Sequence, residues 1–231
     1  MPGTRSMAAA ALGLALLRAP AAHGDMAIEA SGVTLVAPRD AECPAIVLPF
    51  GAAARYAGDP RDEPHDGIDI KLPEGTPLLA IAAGKVISLG AGAASAGHYV
   101  WLQHAPGDTG LPFWVYSTYR HFDPVPDLEV GSAVKVGQVI GRSGRAAYPN
   151  LHLATLVSDS DRYDARGTAM VVAGARLVDP AVVYVSGLGG LADLERLPRA
   201  WPSVLIPYAT DDGVIRPGKS RVIWPVACKR R

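Results

Sequence analysis

Apolar residues recur along most of this chain in short runs that glycine or proline ends on either side. β-Branched and aromatic residues dominate these runs, and no stretch between about Leu48 and Val185 sustains a helical period. The pattern therefore predicts a mostly β, antiparallel fold, with strands in segments such as Leu78–Ile81, Gly84–Ile87, Tyr99–Leu102 and Phe113–Tyr116.

The first residues differ from this pattern. Arg5 is followed by an uninterrupted apolar run, Met7–Leu17, and then by small residues up to Gly24. The run is too short to cross a bilayer as an ordinary helix, and its charge and flanks are typical of an export signal. We expect residues 1–24 to be a signal peptide, and the mature protein to be secreted or periplasmic without a stable membrane span.

The rest of the chain divides by pattern into three parts. Residues 25–47 predict a leading strand and a linker, and residues 48–185 predict the main β-domain. Residues 186–231 are an extension of unknown role, which can cover a groove, dock on the sheet or bind a partner. Its segment Gly187–Leu197 predicts one short helix before Pro198, followed by an irregular tail.

The composition restricts the classes of binding partner more than it restricts the fold. Lys and Arg number 22, as do Asp and Glu, so the formal net charge is zero. A balanced chain offers no electrostatic footprint for nucleic acid or anionic lipid. The 25 glycines and 20 prolines favour many turns.

Cys43 and Cys228 are the two cysteines, and they lie near opposite ends of the expected mature chain. In an exported protein they can pair and close a long loop, which restricts the unfolded state. Two unpaired thiols are the other interpretation, and both stay open at this point.

The segment Pro64–Asp69, with the sequence PHDGID, carries the first candidate metal ligands. Pro64 and Gly67 disfavour a helix, and in an extended chain His65 and Asp69 face the same way. An imidazole nitrogen and a carboxylate oxygen on one face suit Zn²⁺, and Gly67 between them leaves room for an ion. Taken alone, the segment is more typical of a surface turn than of a metal site.

A second polar pair lies in Asn150–Leu156. Leu151 and Leu153 point to one side of a strand, whereas Asn150 and His152 point to the other. His152 can complete a three-ligand set with the histidine and aspartate of the first segment, leaving the fourth position open as in catalytic zinc sites. The alternative is a histidine that faces solvent.

The segment Tyr119-Arg120-His121 holds a further candidate. On a regular strand, Tyr119 and His121 share a face, where Tyr119 can bind substrate and His121 can hydrogen-bond a carbonyl or move a proton. A structural histidine with satisfied hydrogen bonds is the alternative.

Together these segments resemble the lysostaphin-like (LytM-type) peptidoglycan endopeptidases, which carry H-x-x-x-D, Y-x-H and H-x-H segments in this order. The resemblance runs from about Gly51 to Val185 and rests on HDGIDI, GTPLLAIAAGKVISLG, GHYVWLQHAPG, YRHF, VKVGQVIGRSG and VDPAVVYV. It implies a compact antiparallel β-fold, built as a duplicated hybrid motif, with a groove across one sheet. It also implies that His65, Asp69 and His152 bind zinc. His121 would stabilise the tetrahedral intermediate or assist proton transfer.

The chain departs from that family at Asn150, where the family has the first histidine of H-x-H, usually assigned as a general base. Asparagine takes up no proton near neutral pH and can only orient a ligand or water. Three explanations stay open: His121 alone is the base, Asn150 supports a slower or different hydrolysis, or the domain binds without cutting.

Two functions therefore compete at the level of sequence. The first is a zinc-dependent endopeptidase that hydrolyses peptide bonds in bacterial peptidoglycan. The second is a zinc-retaining domain that binds peptidoglycan peptide stems or regulates another cell-wall hydrolase.

Overall fold

The computed structural model of this chain describes residues 30–55, 57–92, 97–123, 127–144, 150–166 and 169–231. Strands dominate these residues, and the pairs of the main sheet are antiparallel, which confirms the predicted mostly β fold class. The expected signal peptide, residues 1–24, lies outside the described residues. No helix within the described ranges is long and apolar enough to cross a membrane.

The strands are short, as the frequent glycines and prolines predict. In chain order they are β1 (Thr34–Val36), β2 (Ala41–Glu42), β3 (Ile46–Leu48), β4 (Ile68–Lys71), β5 (Pro77–Leu79), β6 (Gly84–Ala91), β7 (His98–His104), β8 (Trp114–Phe122), β9 (Ala133–Val134), β10 (Val139–Arg142), β11 (Asn150–Ser158), β12 (Tyr163–Arg166), β13 (Ala169–Val172), β14 (Arg176–Val178), β15 (Ser203–Leu205), β16 (Tyr208–Ala209), β17 (Ile215–Arg216) and β18 (Lys229–Arg230).

Helical structure is sparse among the described residues. One short α-helix, α1 (Pro106–Thr109), follows β7, and 3₁₀ helices occupy Pro180–Tyr184 and Leu191–Arg196. The last of these lies inside the segment where the sequence predicts a short C-terminal helix.

The main sheet has the strand order β3-β4-β11-β8-β7-β6-β9, with β14 also pairing with β11. Residues directly opposite each other in neighbouring strands share a face of the sheet. We call one face the site face; its rows are Asp69, His152, Arg120 and Tyr99, followed by Ala154, Thr118 and Trp101.

The opposite face of the same strands packs on the main hydrophobic core. Leu153, Tyr119 and Val100 are opposite one another in β11, β8 and β7, and each is fully buried there. His104 also lies on this side, where its Nδ1–H donates to the Ala83 carbonyl (2.7 Å) and its Nε2 accepts from the Ser117 hydroxyl (2.8 Å). His104 is therefore a structural histidine with both ring nitrogens satisfied.

The far end of the site face is covered by the β12–β13 hairpin. Tyr116 and Leu156 in the sheet pack with Val172, Met170 and Tyr163 of the hairpin. The site face is consequently a surface closed at one end by apolar packing, with its polar row at the other end.

The C-terminal extension packs on the domain rather than standing apart from it. Strand β15 pairs in parallel with β1, and β18 pairs with β2. Ile223 donates its N–H to the Ile81 carbonyl, and Leu79 donates to the Pro225 carbonyl, each at 2.8 Å. Side chains of the extension, including Trp224, belong to the main hydrophobic core.

A disulfide joins Cys43 to Cys228 across a sequence separation of 185 residues. Cys43 follows β2 and Cys228 precedes β18, so the bond reinforces the pairing of these two terminal strands. The sequence leaves open whether the two cysteines pair, and in the structure they form a disulfide.

Candidate metal centre

His65 is held by the loop that precedes β4. Its backbone carbonyl accepts from the Gly51 N–H (2.8 Å), and its own N–H donates to the Ala52 carbonyl (3.0 Å). The ring is buried, and Nδ1 lies 3.0 Å from the Pro49 carbonyl oxygen. Because a carbonyl can only accept, Nδ1 carries the proton and Nε2 presents its lone pair to the site.

Strands β4 and β11 place the next two side chains directly opposite each other, since Asp69 pairs with His152 in their register. The distance from Asp69 Oδ1 is 2.9 Å to His152 Nδ1 and 3.2 Å to His65 Nε2. His65 Nε2 and His152 Nδ1 are 3.1 Å apart. The three atoms thus form a compact triangle of one oxygen and two nitrogens.

This triangle has the size and chemistry of one face of a tetrahedral zinc site. With metal–ligand bonds of about 2.0–2.1 Å, neighbouring ligand atoms lie about 3.3 Å apart, close to the separations observed here. Two imidazoles and one carboxylate are also a donor set that Zn²⁺ accepts, and three protein ligands leave a fourth position open. These residues fit a zinc ion.

Asp69 is in the charge state that a metal ligand needs. Burial would raise the pKa of its carboxyl, but the hydrogen bonds and charges of His152 and His65 outweigh burial and lower that pKa far below its ordinary value. The carboxylate is therefore ionised over the whole range in which the protein is expected to work.

Asp66 is a second carboxylate within reach, because ligand atoms of His65, Asp66 and His152 lie within 4.8 Å of one another. Its Oδ1 is 3.4 Å from Nε2 of His152, the ring nitrogen on the far side from Asp69. One imidazole cannot aim both nitrogens at one ion, so Asp69, which touches both facing nitrogens, is the better third ligand. Asp66 is better placed as an outer carboxylate behind His152.

Gly67 lies against His152, which gives this glycine a different role from the one expected. A Cβ on Gly67 would collide with the Leu153 carbonyl oxygen and would lie 2.8 Å from Cε1 and 2.9 Å from Nε2 of His152. The room that glycine leaves is filled by the imidazole and backbone of β11 rather than kept for an ion.

His121 is displaced from the regular alternation of β8 by a β-bulge. His98 pairs with Phe122 and Tyr99 pairs with Arg120, so His121 is the extra residue between the two pairs. Its φ is 71°, a left-handed value that no other described non-glycine residue adopts. Bulges re-aim side chains, and the ring of His121 lies edge-on to that of His152 with 6.0 Å between centroids.

The bulge corrects the expectation that Tyr119 and His121 share a face. Tyr119 is fully buried on the core face, and its hydroxyl accepts a hydrogen bond from the Ile81 N–H at 2.8 Å. Burial raises the pKa of this phenol well above its ordinary value, so it stays protonated. With no exposed surface, Tyr119 cannot touch a substrate in this structure, and we do not retain it as a substrate contact.

Asn150 begins β11 and alternates onto the site face with His152, as the sequence pattern predicts. The residue is 2% exposed, and its side-chain Oδ1 has no hydrogen-bond partner among the described residues. A buried amide oxygen without a partner is uncommon in proteins and is best explained by water or ligand at the site.

Arg120 is a site-face residue that the sequence reasoning passed over. It lies opposite His152, and its Nη1 is 3.5 Å from Asp66 Oδ2. Alternation along β8 gives no signal for it, because it directs Arg120 away from Tyr119, which the sequence predicts to contact substrate. The register of β8 with β11 is what places Arg120 beside His152.

Residues 63–164 match the model of the family described as peptidase family M23. A metalloprotease of uncharacterised function from Haemophilus influenzae is 33% identical over 107 residues, which cover 45% of this chain and 21% of that protein. The peptidoglycan DD-endopeptidase ShyB of Vibrio cholerae is 33% identical over 112 residues, 47% of this chain and 24% of that protein.

Two solved structures are also similar. The catalytic domain of lysostaphin from Staphylococcus simulans has 26% identity and a TM-score of 0.38, over 51% of this chain and 80% of that one. A structure of LytU has 25% identity and a TM-score of 0.44, over 68% and 88% of the two chains.

The matched region of this chain spans less than a quarter of the length of the two curated relatives, 21% and 24%. The family match coincides with the segment that supplies His65, Asp69, His121 and His152. Residues 63–164 of this chain, which include all four of these side chains, are thus similar to peptidase family M23.

Proposed function

We propose that this protein is a zinc-dependent endopeptidase that hydrolyses peptide bonds in bacterial peptidoglycan. The observation that carries the proposal is the triangle of His65 Nε2, Asp69 Oδ1 and His152 Nδ1, with sides of 2.9–3.2 Å. In a domain of a metallopeptidase family, three ligands with an open fourth position are the arrangement of a catalytic zinc.

The chemistry divides between the metal and the side chains around it. Zinc held by this set would supply Lewis-acid polarisation of the scissile carbonyl and would make a water more acidic. His121, outside the ligand set, is aimed at the same place by its bulge and can donate a hydrogen bond to the reacting carbonyl oxygen or exchange a proton there. Asn150 offers an acceptor, its unpartnered Oδ1, which can orient a water molecule.

The substrate and the location are proposed from different observations. ShyB, a relative over part of the chain, is named a peptidoglycan DD-endopeptidase, and this supports peptide stems of peptidoglycan as the substrate. The expected signal peptide and the Cys43–Cys228 disulfide support an oxidising compartment outside the cytoplasm.

The direct test measures zinc and cleavage in one preparation. The purified mature protein is assayed for metal content and then incubated with purified sacculi, and released muropeptides are quantified. Stoichiometric zinc with release of cleaved stems is the expected result, and His152→Ala, which removes a ligand, should lose both. Zinc-loaded protein that releases nothing from any sacculus or muropeptide would exclude the endopeptidase.

Asn150 favours one alternative, a zinc-retaining domain that binds peptide stems or regulates another hydrolase without cutting. The variant Asn150→His separates the two functions. If the natural protein cuts, restoring histidine should raise kcat by about 10²-fold, within the range attributed to a positioned acid–base group. If only the variant cuts, the natural protein is a binding domain.

A further inference from the structure

Among the residues that the structure describes, four of the eight buried side-chain polar atoms without a hydrogen-bond partner lie on the site face. They are Thr118 Oγ1, Arg120 Nε, Asn150 Oδ1 and His152 Nε2. Native proteins leave few such atoms unpaired, and those that remain at a cleft indicate where a ligand or water binds. The site face therefore has hydrogen-bonding capacity beyond the three candidate metal ligands.

Arg120 is the charged donor of this group. It lies beside His152 in the register of β8 and β11, so its side chain starts within one strand spacing of the candidate metal centre. Its Nη1 is 3.5 Å from Asp66 Oδ2, while both side chains keep about a third of their surface exposed, 31% and 36%. An exposed pair at this distance stabilises little.

The rest of the guanidinium remains available. Arginine carries five N–H donors in a planar fork, and the edge formed by Nε–H with a terminal N–H matches the two oxygens of a carboxylate. The Nε of Arg120 is buried and has no hydrogen-bond acceptor in the described part of the chain, so one donor on that edge is unused. An incoming carboxylate would restore the missing hydrogen bonds.

The charges around the site favour the same ligand. Asp66 and Asp69 contribute −2 and Arg120 contributes +1, so these three groups sum to −1. A divalent cation in the ligand set changes the sum to +1. A metal-loaded site would therefore attract an anionic group, and Arg120 is the fixed positive charge on the site face that can receive it.

We propose that Arg120 binds a carboxylate of the substrate next to the scissile bond, so that this site selects peptides with a free carboxylate close to the bond that is cut. The inference rests on the proposed function, because it takes the metal-bound peptide as the ligand. Arg120 is then a specificity-determining residue, and its weak pairing with Asp66 leaves the guanidinium available to the substrate.

The test uses matched peptides and zinc-loaded full-length mature protein. Three stem peptides of one sequence are compared: one with a free C-terminal carboxylate, one with that carboxylate amidated, and one with an amidated C-terminus and a free side-chain carboxylate. Dissociation constants are measured by calorimetry, and KM and kcat are measured where cleavage occurs. The second peptide, with no free carboxylate, is the reference. Comparing the first and third peptides with it identifies which carboxylate Arg120 binds.

Of the two peptides with a free carboxylate, we expect the one that binds more tightly to exceed the affinity of the fully amidated peptide by about 10- to 100-fold. Charge-assisted hydrogen bonds contribute free energies of this size. Arg120→Gln should abolish this preference with unchanged zinc content, raising KM more than it lowers kcat. Arg120→Lys, which keeps the charge without the fork, should retain only part of the preference. Arg176→Gln is the control, because Arg176 is an exposed arginine opposite Val157, toward the other end of β11.

Equal binding of free and amidated peptides by the natural protein would overturn the inference, as would an Arg120→Gln variant that keeps the preference. Both outcomes leave the peptidase proposal standing if the peptides are cut. Preferential binding without cleavage would instead support the carboxylate site and overturn the endopeptidase. If Arg120→Gln does not fold, the comparison of peptides on the natural protein and on Arg120→Lys still decides.

Discussion

The imidazole of His152 rests directly on the backbone of Gly67. An added Cβ at Gly67 would lie 2.8 Å from Cε1 and 2.9 Å from Nε2 of that ring. The glycine between the two ligands of the first segment therefore sets the position of the third ligand, which comes from β11, 83 residues from Asp69 in sequence.

Gly67→Ala should weaken metal binding. The methyl group would push the His152 ring away from Asp69 and His65, and losing the support of a ligating histidine lowers metal affinity by about 10- to 100-fold. Zinc affinity is measured by competition with a chromophoric chelator. Gly107→Ala is the matched control, because a Cβ there meets nothing within 4 Å; equal zinc affinity of both variants and the natural protein would contradict the prediction.

The left-handed backbone of His121 should be measurable as strain. Substituting alanine or glycine removes the imidazole in either case, but only glycine adopts φ near 71° without steric cost. We expect His121→Gly to be more stable than His121→Ala by about 1 kcal/mol in free energy of unfolding, and both to lose activity. Urea denaturation compares them, and a more stable alanine variant would show that the bulge is not strained.

Acid should destabilise the protein partly through His104. Burial lowers the pKa of this ring from 6.5 to about 4, against the opposing effects of the Ala83 carbonyl and Asp108. Between these two pH values the unfolded chain takes up a proton that the folded protein refuses, so the free energy of unfolding falls as pH falls. The loss reaches about 3 kcal/mol below pH 4.

His104→Asn isolates this contribution, because asparagine can donate to the Ala83 carbonyl and does not titrate. The variant is expected to be less stable than the natural protein at neutral pH, and the difference should shrink from pH 6.5 to pH 4. Denaturation curves that stay parallel across this range would show that His104 does not take part.

Removing the disulfide should lower stability substantially. The bond closes a loop with a sequence separation of 185 residues, and chain entropy attributes about 5 kcal/mol to a closure of this length. The double variant Cys43→Ala/Cys228→Ala is compared with the natural protein by thermal unfolding. Zinc content of the folded fraction should not change, since neither cysteine belongs to the metal centre; a lower zinc content per folded molecule would place the bond in the site.

Sequence patterns predicted the parts of this molecule that follow from strict alternation. Asn150 and His152 were placed on one side of a strand and Leu151 and Leu153 on the other, and the structure has them so. The meeting of His65, Asp69 and His152 did not follow from alternation; the resemblance implied it, and the pairing of β4 with β11 produces it.

The errors arise where alternation is interrupted. The bulge at His121 depends on how β7 and β8 pair, which no local pattern records, and it separates His121 from Tyr119 in direction. The packing of the C-terminal extension could not be predicted from local patterns either, because its strand β18 pairs with β2 near the other end of the chain. Long-range pairing of short strands leaves almost no trace in local composition.

The disulfide also changes what a protease can do to this molecule. Every described residue of the metal centre lies between Cys43 and Cys228, inside one covalent ring of chain. A single cut in any loop of that ring yields two fragments that remain bonded to each other, with β2 and β18 still held side by side. A nicked molecule therefore keeps its ligands together, and reducing agent is needed before the two pieces can part.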